Sequence, residues 1–177
     1  ADGFYKSKIS YEFINPFPNN GVFTVKCGRK WGILYPKLKK TPVFVFDDIM
    51  DIEDGLIAVQ QHGKWGFADT NGKILINCQY KMVAPFFENR AMVQLENDKW
   101  CVIDKLGKRI GTSIYSDVQS YTRGLAAVRN ESQDPWHFID LNGETVFTLN
   151  MLDRPVVNDE GYVYVYDSKQ EQSKYFD

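Results

Sequence analysis

Three observations predict an all-β repeat architecture. A Trp returns at nearly constant spacing, apolar residues alternate with period two, and an Asp-x-x-Gly turn recurs behind the Trp. The Trp residues are Trp31, Trp65, Trp100 and Trp136, spaced 34, 35 and 36 residues apart. Self-similarity at a period of 20–50 residues marks repeated supersecondary units that bury their apolar faces only by stacking on neighbours. Lys30, Lys64 and Lys99 precede three of the four Trp residues. Upstream, a turn and a short apolar strand recur as NNGVFTV, EDGLIAV, ENRAMVQL and TRGLAAV, with Gly21, Gly55, Arg90 and Gly124 read as the equivalent turn positions. Downstream, Asp69, Asp104 and Asp140 each stand three residues before a Gly, at Gly72, Gly107 and Gly143. A decayed fifth copy ends the chain as DEGYVYV and KYFD, with Tyr175 in the place of a Trp.

Within one unit the elements follow in order. Leu56-Ile57-Ala58-Val59 is a short apolar run, and Trp65, Phe67, Ile74 and Ile76 alternate with the strand period. No i, i+3, i+4, i+7 pattern competes, so no helix is expected. Asp69-Thr70-Asn71-Gly72 reads as a type I turn with a bulge, Asp bonding the backbone and Gly taking the left-handed position. Glu53-Asp54-Gly55 and Thr122-Arg123-Gly124 read as a second turn of the same chemistry. A further short element recurs as Tyr11–Ile14, Phe46–Ile49, Tyr80–Val83 and Tyr115–Val118. Each unit is thus an antiparallel meander of three or four strands, and five units of about 35 residues fill the chain.

The units fall at about 11–46, 47–79, 80–114, 115–150 and 151–177 completed by 1–10, one repeat domain over 1–177. The fifth unit stops at Asp177, in the position of Asp69, and Ala1-Asp2-Gly3 stands in the position of Thr70-Asn71-Gly72. Segment 4–10 therefore has the place of the last strand of the fifth unit. The expectation is a propeller-like ring closed by the N-terminal strand, which removes exposed sheet edges. The alternative is an open, twisted β-solenoid stack cut at a turn. The chain starts at Ala1 without a signal segment, which suggests a processed product or a piece of a longer array.

GLIAVQQHGKWGFADTNGKILI resembles a unit of the WG-repeat (KWG-repeat) family, and QLENDKWCVIDKLGKRI and GLAAVRNESQDPWHFIDLNGETV are similar to it. Departures are Cys101 and His137 after Trp, Tyr175 for Trp, and Tyr35-Pro36-Lys37-Leu38 for the Asp-x-x-Gly turn. The resemblance implies β-structured units used across many bacterial proteins, with no single activity attached. It also implies a bacterial, exported protein, in the periplasm or at the cell surface, rather than a cytoplasmic one.

With 21 Lys and Arg against 23 Asp and Glu, the net charge of −2 lacks the basic footprint of nucleic-acid binding. No apolar run reaches membrane-spanning length. Nucleophile elbows, zinc-protease motifs and phosphate loops are absent from the sequence. Cys27, Cys78 and Cys101 lack Cys-x-x-Cys spacing, so no metal, cofactor or catalytic residue is assigned. The repeated Trp residues read as spacers between sheets rather than sugar platforms, and the repeated Asp residues as turn-formers rather than calcium ligands. The connection before the Trp position lengthens along the chain, which makes Asn130, Glu131, Gln133, Asp134, His137, Asp167, Lys169 and Gln170 candidate partner-binding residues. The predicted function is a non-catalytic scaffold that binds another protein, as a subunit or accessory module of a bacterial envelope assembly. A lectin-like module holding a glycan is the alternative.

Overall fold

The computed structural model describes residues 10–15, 21–34, 42–150, 153–157, 162–167 and 172–176, the last stretches as backbone alone from residue 165. Two compact units divide the chain, residues 1–81 and 82–177. Among the described residues every regular element is a strand, and the strands form five antiparallel sheets in chain order. The first unit holds β1 (Phe13–Ile14), β2 (Phe23–Cys27) and β3 (Lys30–Leu34), then β4 (Asp48–Glu53), β5 (Leu56–Gln61), β6 (Lys64–Ala68) and β7 (Ile74–Tyr80). The second unit begins with β8 (Met82–Val83), β9 (Arg90–Gln94), β10 (Trp100–Asp104) and β11 (Arg109–Tyr115). It continues with β12 (Asp117–Val118), β13 (Ala126–Arg129), β14 (Trp136–Ile139) and β15 (Thr145–Leu149), and ends with β16 (Pro155–Val157), β17 (Val163–Asp167) and β18 (Gln172–Phe176). Each sheet is a meander in which sequential strands pair. Closure by segment 4–10 lies outside the described residues.

The period-two pattern sorts residues between two covered faces, not between core and solvent. In β13, Ala126 and Val128 pack with Met92 and Val102 of the third sheet. Ala127, between them, packs with Trp136, Phe138 and Val163, so its face meets the fifth sheet. The inner strands are therefore apolar at consecutive positions, as Leu56–Val59 and Ala91–Val93 also are, all of them buried. In the first unit the same packing joins Trp31 and Ile33 to Ile57, Val59 and Ala68.

The Asp-x-x-Gly turns form as expected. Asp69 Oδ1 accepts the amides of Asn71 and Lys73, both at 2.9 Å, and Gly72 takes φ 83°. Asp104 does the same for Leu106 and Lys108, and Asp140 for Asn142 and Glu144. The other turns differ from expectation. Asp54-Gly55, Glu88-Asn89 and Arg123-Gly124 have positive φ at both residues, the two-residue type I′ hairpin, whose twist matches that of its strands. This moves the equivalence in the third unit by one residue. Asn89 (φ 64°), not Arg90, stands where Gly55 and Gly124 stand, because Asn tolerates the left-handed region best among residues with a side chain. Arg90 is the first residue of β9.

Tyr80 and Tyr115 also change place. Each ends the last strand of its own sheet opposite a Trp, at Trp65 and Trp100. One bent residue follows, and only the next two join the following sheet. Phe46 likewise bridges Trp31. The short element read as one strand is thus a corner between two sheets.

Candidate interaction surface

Every Trp sits in a cross-strand row, and for Trp31, Trp100 and Trp136 the row lies on a face packed against the following sheet. The rows are Phe13–Lys26–Trp31–Phe46 and Gln60–Trp65–Tyr80 in the first unit. In the second unit they are Met82–Gln94–Trp100–Tyr115 and Asp117–Arg129, beside Trp136. Trp136 is 1% exposed and packs with Val163 of the next sheet. Its face is closed by Arg129, whose guanidinium lies 4.8 Å from the ring centroid and is paired with Asp117 at 2.6 Å. Tyr164 pairs with Tyr175, so Tyr175 holds the Trp place in the fifth sheet. Trp31, Trp100 and Trp136 thus act as spacers between neighbouring sheets.

The Gly after Trp points to the opposite face. A Cβ on Gly66 would lie 2.4 Å from the Ile76 carbonyl oxygen and 2.7 Å from the Asn77 carbonyl carbon and oxygen. Here β7 bulges, three residues facing one between the Trp65–Tyr80 and Phe67–Ile76 pairs. Where Cys101 replaces the Gly, four residues of β11 face one between the Trp100–Tyr115 and Val102–Ile110 pairs. Where His137 replaces it, β15 runs in register and His137 Nδ1 meets Thr148 Oγ1 at 2.9 Å. The departures from Trp-Gly are matched by the neighbouring strand.

The Lys before Trp has a role that neither spacing nor composition discloses. Lys30 Nζ donates to Asp47 Oδ1 at 2.5 Å, and Asp47 Oδ2 accepts the His62 amide at 2.7 Å. Lys99 Nζ donates to Ser116 Oγ at 2.7 Å, Glu131 Oε1 at 2.8 Å and the Asn130 carbonyl at 3.3 Å. In both cases the Lys ties its sheet to the Trp hairpin of the next. The polar residue that opens the outer strand completes the latch: Glu12 takes the Gly28 amide, Asp47 that of His62, and Ser116 Oγ donates to the Asn130 carbonyl. Lys30 holds the Asp47 carboxyl below the usual carboxylate range, and Lys99 does the same to Glu131.

The candidate partner-binding residues therefore divide. Asn130 and Glu131 anchor their loop to Lys99 and Ser116, and Asp134 closes it, taking the Glu131 amide on Oδ2 at 3.1 Å. Asn130, Glu131 and Gln133 are exposed on that folded loop, and His137 is half-buried on β14. Asp167 is not in a loop. β17 and β18 continue to an Asp167–Gln172 pair, so Tyr166, Asp167 and Gln172 of the long connection are in strands. Lys169 and Gln170 lie outside the described residues. No group of three or more His, Cys, Asp or Glu side chains that could hold a metal ion occurs among the described residues. Burial raises the thiols of Cys78 and Cys101.

A profile described as WG containing repeat matches residues 7–31, 44–65 and 65–100. Residues 7–100 carry WG-containing repeats. No curated protein sequence matches it. The solved structures that resemble this chain include β-propeller proteins. Hsv2 of Kluyveromyces lactis is similar with a TM-score of 0.57 at 14% identity, over 88% of this chain and 58% of that one. A eukaryotic initiation factor is similar with a TM-score of 0.54 at 14% identity, over 87% and 47%. BamB of Moraxella catarrhalis is similar with a TM-score of 0.50 at 10% identity, over 83% and 52%. The chain spans just over half the length of the first of these, and at such identities the likeness concerns the fold alone. No helix among the described residues is long and apolar enough to cross a membrane.

Proposed function

We propose that the WG repeats form a non-catalytic scaffold that binds another protein, as an accessory module of a bacterial envelope assembly. What supports the binding role is the use to which the recurring polar residues are put. The Asp-x-x-Gly carboxylates accept turn amides, Lys30 and Lys99 latch neighbouring sheets, and Trp31, Trp100 and Trp136 are packed between sheets. Recognition then falls to the turns and hairpins whose sequence varies between units, as in other repeat scaffolds. The envelope assignment rests on the family resemblance.

Cross-linking of the full chain in its native host, read by mass spectrometry, tests the proposal. The expected result is a protein partner whose cross-links map to turns at a sheet end. A glycan array that gives a saturable ligand, with no protein cross-linked, would replace this reading by the carbohydrate-binding one. Cell fractionation tests the envelope assignment separately.

A further inference from the structure

We infer that the turn end of the third sheet is a docking surface for a short acidic segment of a partner protein that carries apolar side chains. The inference rests on the proposed protein-binding role and names the surface and the chemistry of its occupant. Two positions on this rim break the repeat in the same direction. Phe87 precedes a type I′ turn where the sister turns have Glu53 and Thr122, and it is 45% exposed. Leu106 is the third residue of an Asp-x-x-Gly turn where the sisters have Asn71 and Asn142, and it is 88% exposed. The pairing brings them together. Phe87 bridges Arg90, and Arg90 pairs with Asp104. Two strand spacings separate Phe87 from Asp104, about 10 Å, and Leu106 follows two residues later.

Basic residues outnumber acidic ones around the two apolar side chains, with Arg90, Lys105, Lys108 and Arg123 against Glu88 and Asp104. Lys105 and Lys108 flank Leu106, and Arg123 stands in the turn beside Glu88. The carboxylates of the same rim are occupied: Asp104 accepts the amides of Leu106 and Lys108, and Glu88 Oε2 accepts that of Gly124 at 2.6 Å. The rim is also held in place. Arg90 Nε donates to the Leu141 carbonyl at 2.7 Å, joining the third sheet to the turn of the fourth. A preformed surface loses less entropy on binding than a loose loop. Apolar anchors beside an excess of basic side chains match an occupant with Leu or Phe among Asp and Glu.

The experiment titrates the full chain with a fluorescein-labelled 12-residue synthetic peptide, two Leu and two Phe set among Asp and Glu, by anisotropy and by amide shifts. The expected result is saturable binding that weakens with salt, with shifts centred on residues 86–90 and 104–109. The variant carrying Phe87→Thr and Leu106→Asn, both residues that sister turns already use, loses at least tenfold in affinity. Undiminished affinity in that variant, shifts centred on another part of the chain, or equal binding of a peptide with Lys for every Asp and Glu overturns the inference. Binding of phosphatidylserine vesicles with no peptide binding overturns it in favour of a lipid surface. If the variant keeps every cross-link of the wild type to its partner, the docking surface fails and the scaffold reading stands. If the wild type cross-links to no protein, the scaffold reading itself fails.

Discussion

Gly66→Ala isolates the physical reason for the Gly of the Trp-Gly pair. The added methyl carbon would meet the Ile76 carbonyl oxygen at 2.4 Å and the Asn77 carbonyl carbon and oxygen at 2.7 Å, and all three are backbone. Relief to ordinary contact needs β7 to retreat by about 1 Å, which would break its pairing with β6. Overpacking of this kind costs about 1–3 kcal/mol, and a clash against backbone belongs at the upper end. The unfolded chain gives back only about 0.4–1 kcal/mol for exchanging Gly for Ala. A net loss of about 2 kcal/mol corresponds to roughly 4–8 °C in Tm for a chain of this size. Two comparisons bracket it. Gly63, at φ 75° with no atom within 4 Å of its would-be Cβ, has only the left-handed penalty of about 1–2 kcal/mol for an L side chain. Gly32 would meet Val43 O at 3.1 Å and the Phe44 ring at 3.2 Å, milder contacts that a shift of a few tenths of an ångström relieves. The assay is urea unfolding with amide exchange read at β5, β6 and β7, so that the first unit is followed by itself. A Gly66→Ala variant as stable as wild type, or less affected than Gly32→Ala, refutes the close-approach argument.

Removing the ring of Trp136, which is 1% exposed, should cost about 3–5 kcal/mol as Trp136→Ala, measured by denaturant unfolding of residues 82–177. The Lys99–Glu131 pair is half in water, with side-chain exposures of 27% and 69%, so a Lys99→Met and Glu131→Gln double-mutant cycle should return only the weak coupling of a solvent-screened surface pair. Asp47, Glu131 and Asp140 have carboxyls lowered in the folded state, by Lys30, by Lys99 and by the Glu144 amide respectively. The unfolded state therefore binds more protons, and their stabilisation is present above the ordinary carboxylate range and is lost as pH falls through it. The Tm difference between wild type and Asp140→Ala should shrink on acidification from pH 6 to pH 3. Cys101 is buried with its thiol pushed up, so a thiol-specific reagent at pH 8 should label it only as the chain unfolds.

How much was legible in the sequence depended on whether a residue acts within its own hairpin. Asp69, Asp104 and Asp140 bond amides two and four residues away, and a local pattern is enough to find them. The Trp rows were legible through repetition, since a residue that returns in every unit must face something that also returns. The partners of Lys30 and Lys99 were not legible. They lie 17 and up to 32 residues downstream on another sheet, in a chemistry that changes from Asp47 to Ser116 and Glu131. The turn at Glu88-Asn89 was misaligned by one residue because Asn replaces Gly there and Arg90 takes the following strand position. The candidate binding residues were chosen for loop length. Length alone could not show that Glu131 is latched to Lys99, or that Asp167 is paired with Gln172 in extended strands.

The departures of a unit from its sisters divide by whether the fold gives them a structural cause. Cys101 and His137 depart from the Trp-Gly pair, and the opposing strands β11 and β15 depart with them. Leu106 has no such counterpart. Its turn keeps the two Asp104 bonds and the positive φ of Gly107 that the sister turns have, although their third residue is Asn. Nothing in the fold asks for Leu at an 88% exposed position. Exchange for the sister residue should therefore leave stability within about 0.5 kcal/mol of wild type, the range of surface substitutions that break no cap or core contact. Thermal unfolding of Leu106→Asn decides the point. A fall of several degrees would mean that the side chain is packed in the folded protein and would remove it from the docking surface. An unchanged Tm with weakened peptide binding separates what this residue does for recognition from what its turn does for the sheet.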